Sequence, residues 1–280
     1  METALIDRLI DLAITEDIGD GDHSALSCIP ADAVGKVKLM VKQQGIIAGI
    51  EIAKRIYRKI DRSIQLEQLI SDGAAVKYGD IVFYASGRDH SLLQSERIVL
   101  NVMQRMSGIA TQTNQYVKLL EGTKAKVLDT RKTTPGMRVF DKMAVRIGGG
   151  ENHRMGLFDM IMLKDNHVDF AGGIEEAIRK ANEYLTQTGR KLGIEIETRN
   201  LNEVERVLLI GNVQRIMLDN FNLDDTRKAV TLINGRFETE SSGGINRDTI
   251  RGYAECGVDY ISVGAITHQI QSIDMNLKKV

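Results

Sequence analysis

The sequence predicts an α/β protein with two domains: an N-terminal domain built on an antiparallel sheet, and a C-terminal α/β barrel that is closed or nearly closed. In the first third, short β-rich runs alternate with glycine turns, as in antiparallel sheets. From about residue 123 onward, apolar β-like runs end in charged or glycine-rich tips, and amphipathic helical stretches follow. Four of these tips, at Glu197, Asp219, Ser242 and Gly264, are 22, 23 and 22 residues apart. This regular βα period predicts parallel strands.

In the N-terminal part, apolar residues at helical spacing predict a helix over residues 3–18, which ends in the segment EDIGDGDHS. The next segments, GKVKLMVKQQGIIAG, IQLEQLI and DGAAVKYGDIVFYASG, predict the strands of the antiparallel sheet. Ser91 is predicted to open a long helix, because Gln94 stands three residues later and could complete a capping box. This helix would lead out of the first domain.

The barrel prediction depends on six strand tips, which read KVLDTRK, DMIMLKDNH, GIEIETRN, RIMLDN, FETESSGG and YISVGAITH. Six strands are few for an eight-stranded barrel. Either the barrel is incomplete, or further strands lie in the segment AVRIGGGENHRMG. In such a fold the C-terminal ends of the strands share one mouth, where we expect these residues to converge: Lys132, Lys164, Glu197, Asp219, Ser242 and Gly264.

Composition excludes several classes of protein. With 37 basic and 38 acidic residues among 280, the chain lacks the basic excess that nucleic acids and anionic membranes require, so neither is expected as a partner. The two cysteines, Cys28 and Cys256, have no metal-ligand spacing and are expected to be reduced, buried thiols. The N-terminal segment has acids throughout and lacks a basic region. We therefore expect a cytoplasmic protein.

Two motifs at the expected mouth each allow two interpretations. The segment DTRKTTPG places Arg131 and Lys132 directly after an apolar strand, although a proline followed by glycine is also typical of a solvated turn. In GGGENHR, the glycines would let backbone approach a ligand beside His153 and Arg154, or they would form a flexible loop.

Glu195 and Glu197 are two residues apart and therefore share one face of a strand. Lys164 or a bound Mg²⁺ could neutralise them, and an internal salt bridge is an equal alternative. The glycine-containing tips SSGG and VGA, with His268 just beyond, predict a site for a 5′-phosphate after the last two strands. Cations, phosphate-binding tips and paired acids together predict phosphoribosyl transfer onto an acidic acceptor.

The segment DTRKTTPGMRVFDKMAVRIGGGENHRMGLFDMIMLKDNHV resembles the core of quinolinate phosphoribosyltransferases, the carboxylating nicotinate-nucleotide pyrophosphorylases of NAD synthesis. The similarity extends over nearly the whole chain, through EDIGDGDHS, SERIVLNVMQRMSGIAT, IEIET, IMLDN, SSGGI and DYISVGAITH. It implies an α/β sandwich domain over residues 1–110, with segment 269–280 as a candidate addition, and an incomplete α/β barrel over 111–268. It also implies a Mg²⁺-dependent reaction of quinolinate with phosphoribosyl pyrophosphate, in a homodimer with shared active sites.

The resemblance also implies roles for individual residues. Arg131, His153 and Arg154 would face the quinolinate carboxylates with Thr130 close by, and Lys132 and Lys164 would serve phosphate and carboxylate charges. Glu197 and Asp219 would meet the ribose hydroxyls and Mg²⁺, and the 5′-phosphate would be bound by Ser242, Gly243, Gly264 and His268. Arg97 would reach in from the other subunit. The chain departs from the family pattern at Arg199, where family members often carry an acid.

Three other functions stay open from the sequence. A barrel aldolase would use Lys164 as a Schiff-base amine, although the surrounding acids favour its charged form. A phosphoribosyltransferase-like protein associated with molybdenum transport shares the architecture. A non-catalytic sensor would bind phosphoribosyl pyrophosphate without turnover.

Overall fold

The structure is a computed structural model that describes residues 2–280. It has the predicted α/β fold class, with one antiparallel and one parallel sheet. The chain divides into two compact units. The first contains the residues up to Asn114, Thr133–Gly149 and Ile266–Val280, and the second contains Gln115–Lys132 and Gly150–Ala265. The domain boundaries expected from the sequence stay a prediction.

The secondary structure elements follow in chain order. Up to residue 119 they are α1 (Glu2–Ile18), α2 (His23–Cys28), β1 (Val34–Val41), β2 (Gly45–Ile46), α3 (Ile50–Ile60), β3 (Gln65–Gln68), β4 (Ala75–Val76), β5 (Ile81–Arg88) and α4 (Asp89–Leu119). The rest are β6 (Lys126–Leu128), α5 (Arg138–Ile147), β7 (Ile161–Leu163), α6 (Asp165–Ala171), α7 (Ile174–Thr188), β8 (Ile194–Thr198), α8 (Leu201–Ile210), β9 (Arg215–Asp219), α9 (Leu223–Ile233), β10 (Glu238–Ser242), α10 (Ile250–Glu255), β11 (Tyr260–Ser262), α11 (Ala265–His268) and β12 (Met275–Lys279).

The first unit contains the predicted antiparallel sheet, in the order β12-β1-β5-β3. The strand β12 comes from the C-terminal end of the chain, and it pairs with β1 from Val37 opposite Lys279 to Val41 opposite Met275. One face of α3 is buried, because its apolar residues Ile52, Ala53 and Ile56 recur at helical spacing. The predicted first helix is confirmed as α1.

Two local predictions in this unit were wrong. The long helix α4 begins at Asp89, two residues before the predicted start, because the Ser91 hydroxyl donates to Asp61 Oδ2 at 2.8 Å and does not cap the helix. The segment EDIGDGDHS ends α1 at Ile18 as predicted, and its last two residues begin the short helix α2, whose first turn is capped by the Asp22 carboxylate. Cys28 closes this short helix and is exposed, contrary to the expected burial, whereas Cys256 is buried as predicted.

The second unit contains six parallel strands in the order β6-β11-β10-β9-β8-β7. Within the described residues, β6 and β7 form the two edges and do not pair with each other, so the barrel is incomplete. The segment AVRIGGGENHRMG contains the end of α5 and a single parallel bridge between Leu128 and Glu151. The six-stranded barrel is therefore incomplete, and this segment does not supply the further strands of a complete one.

Among residues 2–280, no helix has the length and the apolar composition needed to cross a bilayer.

Candidate active site

The predicted site residues of the second unit follow its parallel strands, whose C-terminal ends lie at one edge of the sheet. Glu197 is the fourth residue of β8, Asp219 ends β9 and Ser242 ends β10. Ser242 stands opposite Asp219 in the strand register. The remaining residues follow strand ends or the bridge at Glu151: Thr130, Arg131, Lys132, His153, Arg154, Lys164, Gly243 and Gly264.

The loop after β6 is tied to the loop that carries His153. Asp129 is fully buried, and its Oδ1 accepts the backbone N–H of His153 at 2.9 Å. Its Oδ2 accepts from Asn152 Nδ2 at 2.7 Å. Thr130 Oγ1 accepts the backbone N–H of Lys132 at 3.0 Å, which shapes the turn that presents Arg131 and Lys132. The motifs DTRK and NHR therefore form one structural feature.

Arg154 and Arg131 bring two positive charges close together at this edge. Arg154 is buried, and its Nη1 donates to the Met160 carbonyl at 3.4 Å. Burial lowers the pKa of the Arg154 guanidinium, and the charge of Arg131 lowers it further, while Glu195 and Asp159 oppose this shift. A buried cation that faces another cation is stabilised by an anionic ligand.

Lys164 and Glu197 form the ion pair that the sequence allowed, with Nζ 3.3 Å from Oε2. Lys164 precedes α6 directly, and its backbone N–H donates to His167 Nδ1 at 3.0 Å. Burial raises the pKa of the Glu197 carboxyl, Lys164 opposes this, and the neighbouring charge of Asp219 raises it again. The carboxyl groups of Glu197 and Asp219 are thus close enough to repel each other.

These two carboxylates suit a hard divalent cation. Mg²⁺ prefers carboxylate oxygens together with water and substrate phosphates. The side chain of Glu197 is 11% exposed and contacts Lys164 through Oε2, which leaves Oε1 for a cation, while Asp219 Oδ2 accepts from Asn220 Nδ2 at 2.6 Å. The donor set therefore fits a Mg²⁺ ion that would also relieve the repulsion between the two acids.

The tip after β10 is a tight turn that passes close to Asn220. Gly243 has φ +102°, and a Cβ atom at this position would lie 2.2 Å from Asn220 Oδ1 and 2.8 Å from Asn220 N. Only glycine fits this position without displacing Asn220. Gly264 lies between β11 and α11, at the start of the second glycine-containing tip.

Two predicted site residues, Arg97 and His268, belong to the first unit. Arg97 lies on α4, is exposed, and forms no ion pair with any residue that the structure describes. His268 is exposed and ends α11. Arg199, the departure from the family pattern, pairs with Glu203 at 2.7 Å, and its backbone N–H also donates to Glu203 Oε2, so its charge is already partly neutralised.

Sequence reasoning assigned no role to three buried or nearly buried residues of the second unit: Asp129 in the loop after β6, and Arg215 and Glu240 on the strands. Glu195 was expected to pair with Lys164 or Mg²⁺, yet its Oε2 lies 2.9 Å from His153 Nε2. Arg215 Nη1 donates to Glu240 Oε2 at 3.2 Å. The sequence pattern could have identified Glu240. It stands two residues before Ser242 and therefore shares one face of β10 with it, just as Glu195 shares one face of β8 with Glu197.

Burial is also the main influence on these inner acids. Burial raises the pKa of Glu195 to about 7, and Arg215 and Arg154 oppose the shift. Burial raises the pKa of Glu240 to about 8, with a further contribution from the charge of Glu195. Burial alone would lower the pKa of Arg215, but the charges of Glu195, Glu240 and Glu238 together raise it.

Comparison with known proteins matches both parts of the chain to one family. Residues 22–107 match the model of the quinolinate phosphoribosyl transferase N-terminal domain, and residues 109–278 match that of the C-terminal domain. The chain is 44% identical to quinolinate phosphoribosyltransferase [decarboxylating] 1b of Nicotiana tabacum, over 96% of this chain and 81% of that protein. It is 37% identical to the probable nicotinate-nucleotide pyrophosphorylase [carboxylating] of Bacillus subtilis (strain 168), over 96% and 92%.

Solved structures agree with the sequence relatives. The structure of NadC from Streptococcus pyogenes superposes with a TM-score of 0.92 at 38% identity, covering 98% of this chain and 97% of that one. The nicotinate-nucleotide pyrophosphorylase from Francisella tularensis gives a TM-score of 0.90 at 38% identity, covering 99% and 96%. With both domain models matched in order and the fold shared over nearly its full length, the chain belongs to the quinolinate phosphoribosyltransferase family.

Proposed function

We infer that the chain transfers the phosphoribosyl group of phosphoribosyl pyrophosphate to quinolinate with decarboxylation. The products are nicotinate mononucleotide, CO₂ and pyrophosphate, and the reaction belongs to NAD biosynthesis. The observation that carries this inference is the buried guanidinium of Arg154 beside Arg131, because two adjacent cations suit an acceptor with two carboxylates. Family membership supports the same reaction.

The acceptor end of the proposed site consists of Thr130, Arg131, His153 and Arg154. Arginine suits carboxylates because its planar guanidinium can donate two parallel hydrogen bonds. Quinolinate would be oriented by these cations with its ring nitrogen toward the ribose carbon of the donor. Lys132 and Lys164, which are exposed at the same edge, would neutralise the remaining carboxylate and phosphate charge.

The donor end lies after β8 to β11. Glu197 and Asp219 would accept hydrogen bonds from the ribose hydroxyls and hold Mg²⁺. The tips at Ser242, Gly243 and Gly264 would offer backbone N–H groups to the 5′-phosphate, and His268 would add a side-chain contact. Support for this assignment comes from the positive φ of Gly243 and from the closeness of the two acids.

The chemistry follows from the charges. When the bond between the ribose carbon and pyrophosphate breaks, that carbon becomes electron-poor and the leaving group gains negative charge, which Lys132 and Lys164 stabilise. When bound, Mg²⁺ neutralises part of the pyrophosphate charge. The quinolinate nitrogen donates its electron pair to the ribose carbon and becomes a pyridinium. The adjacent carboxylate then leaves as CO₂, the electron pair stays at the ring carbon beside the cationic nitrogen, and a proton replaces the carboxylate. No side-chain nucleophile is needed, because the protein positions and neutralises the reactants.

We also propose a homodimer in which Arg97 of one subunit serves the site of the other. The exposure of Arg97 and its lack of an ion pair among the described residues leave it available for such a role. For location we propose the cytoplasm, because both cysteines are free thiols, which suits a reducing compartment. Fractionation of cells that express the protein tests this location, and recovery in an organelle or a membrane fraction would contradict it.

The decisive experiment incubates the protein with quinolinate, phosphoribosyl pyrophosphate and Mg²⁺, and measures CO₂ and nicotinate mononucleotide. We expect both products in equal amounts, and we expect Arg154→Met to abolish their formation. Arg227→Met is the matched control, because Arg227 is an exposed arginine on α9 that pairs with Asp224. Binding of phosphoribosyl pyrophosphate without products would indicate a sensor, and trapping of a keto substrate on Lys164 by borohydride would indicate an aldolase.

A further inference from the structure

Four polar side chains fill the interior of the second unit, one step farther from the strand ends than the Lys164–Glu197 pair. They are His153, Glu195, Arg215 and Glu240, and we call them the buried cluster. The exposed fraction of their side chains is 5%, 1%, 12% and 0%, respectively. The interior of an α/β barrel is usually filled by branched apolar residues. Burying charged groups there costs free energy, so their presence in the barrel interior needs a structural or functional explanation.

Within the buried cluster, the two glutamates lie on one side of the His153 imidazole. His153 Nε2 lies 2.9 Å from Glu195 Oε2 and 3.5 Å from Glu240 Oε2. Glu240 is held in turn by Arg215, whose Nη1 donates to Glu240 Oε2 at 3.2 Å. The guanidinium of Arg215 also stacks over the Tyr260 ring, at 4.1 Å from its centroid. Arg215 therefore holds Glu240 on β10, while Glu195 on β8 has its closest polar contact with the His153 ring.

On its other side, His153 is bound to the loop that carries the acceptor-binding residues. Its Nδ1 accepts the backbone N–H of Arg154 at 2.7 Å, and its own backbone N–H donates to Asp129 Oδ1 at 2.9 Å. A nitrogen that accepts carries no proton, so the ring proton of a neutral His153 is on Nε2, the nitrogen that faces the glutamates. A shift of the ring would therefore move the backbone of Arg154 as well.

A metal site is the other function that these groups could have, since donor atoms of His153, Glu195 and Glu240 all lie within 4.8 Å of one another. Two observations disfavour it. The nitrogen that faces the glutamates carries the ring proton and has no lone pair to offer a metal. In addition, the cationic Arg215 already contacts Glu240 and would repel a second cation.

We propose that Glu195 and Glu240 are positioning residues for the acceptor end of the site. They hold the His153 imidazole against the barrel interior and thereby fix Arg154 in the orientation that receives the carboxylates of the acceptor. The inference rests on the proposed function. It assigns a role to buried glutamates that touch neither substrate, and it explains why the barrel keeps polar groups at this depth.

The kinetic test measures the KM of each substrate in three variants. Glu195→Ala removes the contact with His153, and we expect the KM for quinolinate to rise about 10- to 100-fold, as when a reacting group is misplaced by about 1 Å. The KM for phosphoribosyl pyrophosphate should stay within about twofold, because donor binding does not depend on Arg154. Glu195→Gln keeps an oxygen that faces Nε2, so it should restore the KM for quinolinate to within about threefold of wild type.

Glu238→Gln is the matched control. Glu238 lies on β10 and pairs with Arg215 at 2.9 Å, but it is half-exposed and does not contact His153. Its substitution should leave both KM values unchanged. An equal rise of both KM values in Glu195→Ala, the same rise in Glu195→Gln, or the same rise in Glu238→Gln would overturn the proposal.

A measurement on the wild-type protein decides the contact even if Glu195→Ala does not fold. In ¹⁵N NMR spectra of protein labelled at its five histidines, the His153 resonances can be assigned by their loss in His153→Gln. We expect a neutral ring with its proton on Nε2 at pH 7. A proton on Nδ1, or a doubly protonated ring, would overturn the proposal. If wild-type protein forms no nicotinate mononucleotide, the proposed function fails, whereas the NMR result still decides the geometry.

Discussion

The backbone N–H of His153 donates to the buried carboxylate of Asp129 at 2.9 Å, and this bond joins the two loops that carry Arg131 and Arg154, the arginines proposed to bind the acceptor. Arg131 and Lys132 follow Asp129 in the chain, and Arg154 follows His153. The acid of DTRKTTPG is therefore the internal anchor of the motif, and the two cations after it are exposed, as the proposed contact with the ligand requires.

Asp129→Ala should destabilise the protein, because the N–H of His153 and the amide of Asn152 would both lose their acceptor in a buried place. We expect the free energy of unfolding to fall by about 1–3 kcal/mol for each unmatched donor. Urea denaturation measures the change, and Asp224→Ala, at an exposed position on α9, is the control. Equal stability of the two variants would contradict an anchoring role for Asp129.

Nicotinate should be a much poorer acceptor than quinolinate if Arg131 and Arg154 bind two carboxylates. Loss of one carboxylate leaves a buried cation unmatched, which costs about 1.5–3 kcal/mol. This corresponds to a fall in kcat/KM of roughly 10- to 150-fold. Steady-state kinetics with each acid at saturating phosphoribosyl pyrophosphate measures the ratio. Comparable kcat/KM values for the two acids would rule out the pairing of Arg131 and Arg154 around the acceptor.

Gly243→Ala should weaken the binding of phosphoribosyl pyrophosphate and leave quinolinate binding nearly intact. The new Cβ would lie 2.2 Å from Asn220 Oδ1 and 2.8 Å from Asn220 N, so the loop after β10 or Asn220 must shift, which we expect to disturb the proposed 5′-phosphate site. Gly244→Ala is a close control, because Gly244 also has a positive φ, +62°, but has no atom within 4 Å of an added Cβ. Both variants carry the conformational cost of a positive φ, and only the first carries the steric clash. Calorimetry that finds the same donor affinity in both would contradict the phosphate assignment.

The stability of the protein should depend on pH through Glu240. Burial raises the pKa of this carboxyl from 4.5 to about 8, so between these values the folded protein binds more protons than the unfolded chain. The free energy of unfolding therefore falls as the pH rises through this window. In Glu240→Gln the decline should be shallower, because the amide does not titrate. Urea denaturation between pH 5 and pH 8 compares the two proteins, and identical slopes would show that Glu240 does not titrate abnormally in the folded state.

The βα period correctly predicted which residues lie at the C-terminal edge of the parallel sheet. Glu197, Asp219 and Ser242 lie at the C-terminal ends of their strands because a strand and helix of regular length return the chain to the same edge. Periodicity could not identify the partners inside the barrel. The contact of Glu195 with His153 joins residues far apart in sequence, and it depends on where the loop after the Glu151 bridge places the imidazole.

The start of α4 shows the same limit on a smaller scale. A serine followed three residues later by glutamine is typical of a helix start, yet Ser91 donates its hydroxyl to Asp61, 30 residues earlier in the chain. Asp61 also accepts from Arg88 at 3.0 Å, so a long-range polar cluster overrides the local capping signal. Local patterns predicted that a long helix exists, and tertiary contacts decided where it begins.

The final prediction tests the shared active site. Arg97 lies on α4 and not at any strand end, and it is exposed. An exposed arginine on a helix is by default a solvated surface residue. If Arg97 serves the neighbouring subunit, Arg97→Ala and Lys132→Ala should each be inactive, and a mixture of the two should regain activity. In a mixed dimer, one active site contains both Arg97→Ala and Lys132→Ala, and the other contains neither substitution.

With random exchange, half of the dimers are mixed and half of their sites are intact, so activity should return to roughly a quarter of wild type. Mass spectrometry of intact dimers verifies the exchange, and each variant mixed with wild type controls for dominant effects. A mixture that stays inactive after verified exchange would show that Arg97 acts within its own chain or that the subunits do not share active sites.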